Sequence, residues 1–263
     1  MAKKSLGQNF LIDQNIINKI IKIGDIKKNS TILEIGPGYG SLTKKILEKK
    51  PKKFFVVEKD EKLISVLKNK FEKFDEIKII HDDILNIKQI KNAGNNIIIF
   101  GNLPYNISTQ ILASLILNSK NRPWFKLLVF MFQKEVADRI LAKSNSKNFG
   151  RLAVLTRWKL DVKKHFDVSG NCFSPKPKID STVLSFTPKI KNEFIIKDPK
   201  ILEKITRILF SNRRKMINKS FSKLFKNYKK VAEDMNLELN KRPEELNIEM
   251  FYKIAIKYEK LLC

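Results

Sequence analysis

Two rhythms of apolar and polar positions alternate along the first two thirds of the chain. Short, almost wholly apolar runs recur at Thr31–Ile35, Lys53–Glu58, Ile77–Ile80, Asn96–Phe100 and Leu127–Phe132. Runs this short, rich in Ile, Val and Phe, predict buried strands. Between them apolar residues return every third or fourth position, over Asn15–Ile23, Ser41–Glu48, Asp60–Phe71 and Lys134–Leu141, as on one face of a helix. After the Asn96–Phe100 run, Ile107, Ile111, Leu112, Leu115 and Ile116 share such a face. Strands alternating with helices predict an α/β domain, a Rossmann-like parallel sheet with helices on both faces. Strands are expected again at Val162–Val168 and Ser181–Thr187, with a Pro-rich loop between them, while 144–150 is polar and loop-like. Beyond Pro188 only helical spacing remains, at Pro199–Phe210, Arg214–Phe225, Lys229–Met235 and Ile248–Lys260. The expected division is an α/β domain over 1–188 and a small all-helical domain over 189–263.

Composition sharpens this picture. The chain of 263 residues is 43% apolar, enough for a substantial core. Its formal charge is +26, from 53 Lys and Arg against 27 Asp and Glu, which points to a polyanionic partner. Only 8 of those 53 are Arg, and Lys, Ile and Asn are abundant throughout, so an AT-rich coding composition competes as the explanation. Basic residues clustered near the C-terminus favour nucleic acid. Two cysteines, Cys172 and Cys263, and two histidines, His81 and His165, show no metal-ligand spacing. No metal is expected, and the thiols read as reduced ones in the cytoplasm. The apolar start "FLIDQNIINKI" is broken by Asp13, Gln14, Asn15 and Asn18, so neither a leader nor a membrane span is expected there. No coiled-coil seam or apolar surface stripe stands out, and a monomer is expected.

Chemistry is concentrated at strand ends. "ILEIGPGYGSLT" turns from strand to helix through Gly36, Gly38 and Gly40, where the backbone can approach a ligand beside free helical N–H groups. Glu58 ends the next strand, about 20 residues on, where an acid binds both hydroxyls of a ribose. Alone, the turn suits either a nicotinamide dinucleotide or S-adenosylmethionine. The spacing is G-x-G-x-G, and Glu34 two residues before Gly36 suits an ammonium better than a pyrophosphate, so both features favour S-adenosylmethionine. Asp83, in "HDDIL", ends the third strand and is a candidate acceptor for the adenine amine of that cofactor.

The fourth strand ends in Asn102-Leu103-Pro104-Tyr105. An exocyclic amine such as adenine N6 is a poor nucleophile because its lone pair is delocalised into the ring. An Asn oxygen and a backbone carbonyl near Leu103–Pro104, each accepting one N–H, aim that lone pair at a methyl donor. Pro104 stiffens the backbone and Tyr105 offers a stacking face. Read in isolation, the same residues are a loop before a helix capped by Asn106 or Ser108.

Taken together, "LGQNFL", "EIGPGYGSLT", "VVEKD", "NLPYNIS" and "FSPKPKIDS" resemble the rRNA adenine N6,N6-dimethyltransferase family over nearly the whole chain, and "FSNRRKMINKSF" resembles its small-subunit branch. The resemblance implies a catalytic methyltransferase domain over 1–188 and an RNA-binding helical domain over 189–263. It implies that Asn9 and Leu11, with Gln8 nearby, close over S-adenosylmethionine, and that Gly36, Glu58, Asp83 and Asn102 bind or border it. Asn102, Leu103, Pro104 and Tyr105 would hold the target base, with Phe173 as a second aromatic wall and Asp180 structural. The implied substrate is a pair of adjacent adenines in the 3′-terminal hairpin of 16S rRNA in the small ribosomal subunit, gripped at phosphates by Arg213, Arg214, Lys215, Lys219 and Lys223. A large-subunit methylase of the macrolide-resistance type is the near rival, and a mainly non-catalytic ribosome assembly factor the rival of another class. DNA is not expected, because nothing after Pro188 is large enough for a separate target-recognition domain.

Overall fold

The protein is described by a computed structural model over residues 9–86, 96–119 and 123–262. Gln8 and Cys263 lie outside the described residues. In chain order the elements are β1 (Phe10–Leu11), α1 (Gln14–Ile23), β2 (Thr31–Ile35), α2 (Ser41–Leu47), β3 (Lys53–Glu58), α3 (Glu61–Phe71), β4 (Ile77–His81), β5 (Ile97–Asn102), α4 (Ser108–Leu117), β6 (Phe125–Gln133), α5 (Lys134–Leu141), α6 (Arg151–Lys159), β7 (Leu160–Val168), β8 (Phe173–Ser174), β9 (Ser181–Pro188), α7 (Pro199–Leu209), α8 (Asn218–Phe221), α9 (Tyr228–Asp234) and α10 (Ile248–Lys260).

The main sheet runs β4-β3-β2-β5-β6-β9-β7. β4, β3, β2, β5 and β6 pair in parallel, and β9 joins β6 antiparallel. The further strands β7 and β9 form an antiparallel edge on this parallel sheet. His165 bonds Ser185 and Asp167 bonds Thr182, in opposite order along β7 and β9. Ile97, Ile98, Ile99 and Phe100 of β5 are buried, as a strand covered on both faces requires. α1 starts at Asp13, whose carboxylate accepts the N–H groups of Asn15 (2.8 Å) and Ile16 (3.0 Å), and it buries Ile17, Ile20 and Ile21. Gly24 ends it directly under the Phe100 ring, where a Cβ would come within 2.3 Å of the ring tip.

The chain divides into two compact units. The first takes its described residues from 1–114, 122–137 and 161–188, and the second from 115–121, 138–160 and 189–263. The second unit thus reaches back before the expected boundary at 188. Its extra element, α6, escapes a periodicity search because it is buried on most sides, Ala153, Val154, Leu155, Thr156, Trp158 and Lys159 all being inaccessible. Within this unit the Phe210 and Phe251 rings stack at 5.1 Å, and Tyr252 donates to the Val154 carbonyl (2.9 Å). The Glu259 carboxylate accepts the N–H groups of Lys197 (3.1 Å) and Asp198 (2.8 Å) where α7 begins. The expected helix Arg214–Phe225 shrinks to the single turn of α8. The N–H groups of Ile217 and Asn218 donate instead to the carbonyls of Lys241 (2.8 Å) and Leu239 (3.1 Å), which takes the segment out of helical pairing.

Phe100 is fully buried between α1 and the sheet. Phe100→Ala is expected to lower stability by about 3–5 kcal/mol, read as a shift of the urea midpoint at unchanged slope.

Candidate cofactor and base site

The strand order reverses at β2, with β3 and β4 on one side and β5 and β6 on the other. In open α/β sheets the carboxyl ends of the strands at such a point form a crevice. Here Glu34 and Gly36 from the end of β2, Glu58 from β3 and Asn102 from β5 line one cleft. Asn9 and Leu11 of the N-terminal arm, and Leu103, Pro104 and Tyr105, line it as well.

The turn after β2 has the backbone the glycine spacing demands. Gly36 (φ +65°), Gly38 (φ +58°) and Gly40 (φ +81°) are all left-handed. A Cβ on Gly38 would lie 2.5 Å from the Phe10 ring, so the arm packs against bare backbone. Phe10 also meets Tyr39 at 4.5 Å between ring centres.

Two carboxylates face this turn. Glu58 accepts the N–H groups of Lys59 (2.8 Å) and Asp60 (2.9 Å) on one oxygen. Burial pushes its carboxyl above the ordinary range, and these backbone bonds oppose the rise. Glu34 is 1% exposed. Its Oε2 accepts the Thr43 hydroxyl at 2.7 Å, while Oε1 is buried without a hydrogen-bond partner. Burial above all, and secondarily the charge of Glu58, push Glu34 up to about 8 against the Thr43 bond.

Asp83, two residues past the end of β4, pairs with Lys59, which lines the cleft. Asp83 itself is not among the residues lining the cleft. Its Oδ2 accepts the Lys59 ammonium at 2.8 Å and its Oδ1 the Leu85 N–H at 3.0 Å. Burial alone would raise its pKa, but the Lys59 and Leu85 bonds hold it below the carboxylate norm. Lys59 itself lines the cleft and went unnoticed in the sequence, where one lysine among so many carries no signal.

The Asn102 side chain is oriented by the arm. Its amide nitrogen donates to the Asn9 carbonyl at 2.9 Å, so its oxygen is the end left available. Pro104 accepts the Ile107 N–H at 3.1 Å, and the Leu103 side chain is buried over Gly101. The Tyr105 hydroxyl pairs with Ser181 Oγ at 2.7 Å. Burial raises the phenol pKa and this bond opposes it. Ser181 could have been suspected only from its place in "KIDS". Its neighbour Asp180 is structural, accepting the Gly170 N–H at 3.0 Å.

Phe173 does not reach the cleft. It is 3% exposed in the core of the first unit, because β8 pairs with β1 and sets Phe173 opposite Leu11. In the second unit Arg214, Lys215, Lys219 and Lys223 are exposed. Arg213 differs from them: its Nη2 donates to the carbonyls of Phe149 (2.7 Å) and Lys147 (2.8 Å) and to Glu244 (3.3 Å). Those bonds make it an internal staple rather than a free phosphate ligand.

The family model for ribosomal RNA adenine dimethylases matches residues 1–260. Ribosomal RNA small subunit methyltransferase A of Pelagibacter ubique is 55% identical over 260 residues, covering 99% of this chain and 98% of that protein. The protein of the same name from Borreliella burgdorferi is 42% identical, covering 96% of this chain and 87% of its own length. Among solved structures, a dimethyladenosine transferase from Plasmodium falciparum superposes with a TM-score of 0.77 at 28% identity, over 95% of this chain and 98% of that one. The 23S rRNA methyltransferase ErmE superposes with a TM-score of 0.68 at 19% identity, over 96% of this chain and all of its own, a likeness of fold. Matched by that family model over residues 1–260 and by relatives over nearly its whole length, the chain belongs to the ribosomal RNA adenine dimethylase family.

Proposed function

We propose that this protein is an S-adenosylmethionine-dependent rRNA methyltransferase that dimethylates N6 of two adjacent adenines in the 3′-terminal hairpin of 16S rRNA during small-subunit biogenesis in the cytoplasm. The observation that carries this reading is the Asn102 amide, turned by Asn9 so that its oxygen is free in the same cleft as the Gly36–Gly40 turn. Relatives named for the small ribosomal subunit support the choice of substrate over the large-subunit alternative.

The residues of the cleft fit S-adenosylmethionine. Gly36 leaves backbone open to a ligand, Glu58 offers carboxylate oxygen to a ribose, and the unpartnered Oε1 of Glu34 suits a cationic group. When bound, the cofactor supplies an electrophilic methyl group on a sulfonium. Asn102 Oδ1 accepts one N6–H of the target adenine. A backbone carbonyl of Leu103–Pro104, at the same edge of the cleft, is the second acceptor. Together they steer the nitrogen lone pair out of the ring plane and toward the donor. Tyr105, held by Ser181, stacks on the base. The proton leaves the alkylated nitrogen after transfer, so no strong base is required. After one transfer a single N–H and a lone pair remain, which permits a second round with fresh cofactor. Arg214, Lys215, Lys219 and Lys223 grip phosphates and set position rather than sequence. Asp83 accepts one bond on each oxygen and keeps acceptor capacity for the adenine amine. Phe173 would need the β1–β8 ribbon to move before it could touch the base.

Tritiated S-adenosylmethionine offered with unmethylated small subunits, large subunits and duplex DNA tests the proposal. Label in dimethyladenosine from the small subunit alone is expected. Label from the large subunit would reassign the substrate, and cofactor binding without label anywhere would leave a non-catalytic assembly factor. Asn102→Ala is expected to cut methylation by about 10²–10³-fold with RNA affinity nearly unchanged, read from single-turnover rates and filter binding. Tyr105→Ala should lower turnover while sparing cofactor affinity; unchanged turnover would remove the stacking role. Replacing Arg214 and Lys215 by Ala should shrink the slope of log K against log salt by about 0.7–0.9 per lost contact. Arg213→Ala should instead show itself chiefly as lost stability.

A further inference from the structure

Among the described residues, Glu34 is the carboxylate of the cleft with a buried oxygen that has no partner. It lies on β2 between Val56 of β3 and Phe100 of β5, both apolar. From α2 it receives a single hydrogen bond, the Thr43 hydroxyl to Oε2 at 2.7 Å. Oε1 is buried and has no partner, although the residue lines the cleft beside Gly36. The other charged group acting on it is Glu58, which is also negative. A carboxylate with one oxygen undonated, out of water and beside a second carboxylate, is costly to ionise. The protonated form removes that cost, consistent with a carboxyl raised to about 8 by burial.

We propose that Glu34 Oε1 receives the ammonium of the amino-acid end of S-adenosylmethionine, and that cofactor binding expels to solvent the proton this carboxyl holds beforehand. The inference rests on the cofactor reading above and adds to it a position for the ammonium and a proton balance. The bond broken is O–H of the Glu34 carboxyl, and the charge left on Oε1 is neutralised by the incoming cation. Thr43 keeps Oε2 occupied, so the freed oxygen is Oε1. Below neutrality the cofactor's amino group is already an ammonium, its ordinary pKa being about 8. The released proton is then not recaptured by the ligand.

The test is isothermal titration of the full chain at pH 6.5 in phosphate and in imidazole, buffers that differ strongly in ionisation enthalpy. The difference in observed heat counts protons. S-adenosylmethionine is expected to release about one proton per molecule bound, because a group raised to about 8 is almost wholly protonated at that pH. 5′-Methylthioadenosine, the same nucleoside without the amino-acid tail, is expected to bind with almost none released. That comparison needs no variant. Glu34→Gln, close in shape, should bind S-adenosylmethionine with its proton release abolished. Equal release with methylthioadenosine, or undiminished release in Glu34→Gln, would overturn the proposal while leaving the cofactor reading intact. Failure of both ligands to bind would remove the cofactor reading and this inference together.

Discussion

The parallel pairing of β2 with β3 on one side and β5 on the other is the constraint on which the site depends. Those two ladders run in register from Thr31 to Ile35 and bring Glu34, Glu58 and Asn102 to a common edge. A strand buried on both faces has no tolerance for a one-residue slip, which would turn Glu34 and its neighbours to the opposite face. The buried apolar residues of β2 and β5 are therefore as much a specification of the cleft as the polar residues that line it. The sheet sets where the chemistry can be, and the turns at its edge decide what it is.

Around that edge each reactive side chain is oriented by a partner from elsewhere in the fold. Asn102 is turned by the Asn9 carbonyl, Tyr105 by Ser181 and Glu34 by Thr43. These partners remove rotational freedom in advance, which is how a site limits the entropy lost when reactants are brought together. The second unit follows the same economy of design, with Arg213 fastening the segment that displays Arg214 and Lys215.

Much of this was legible in the sequence because it depends on local rules. The strand Thr31–Ile35, the glycine turn after it and the helix Lys134–Leu141 follow directly from run length, spacing and period, and the structure has all three. What the sequence concealed depends on contacts between distant residues. α6 has no polar face to reveal its period, because it is enclosed. The two-residue strands β1 and β8 are too short to leave a pattern, yet their pairing draws Phe173 into the core. Asp83 holds Lys59, and Arg213 holds the backbone carbonyls of Lys147 and Phe149, contacts between residues too far apart in sequence for any local pattern to show. Lys59 could not be singled out amid an excess of lysine. The family likeness carried the reading of function further than periodicity did, since it rests on five ordered motifs rather than on any one of them.

The contact between Asn9 and Asn102 spans 93 positions, and the arm that makes it is pinned by Leu11 against Phe173. The acceptor for the target base is therefore completed by a stretch of chain synthesised well after the nucleotide-binding turn. A nascent protein that has built β2 through β6 has its glycine turn and its acidic strand ends, but its Asn102 amide is still free to face either way. Orientation arrives only when β8 emerges and fastens the arm. The same fastening sets Asn9, Phe10 and Leu11 along the cleft, so the donor side and the acceptor side are both complete only in a chain that has finished its α/β unit.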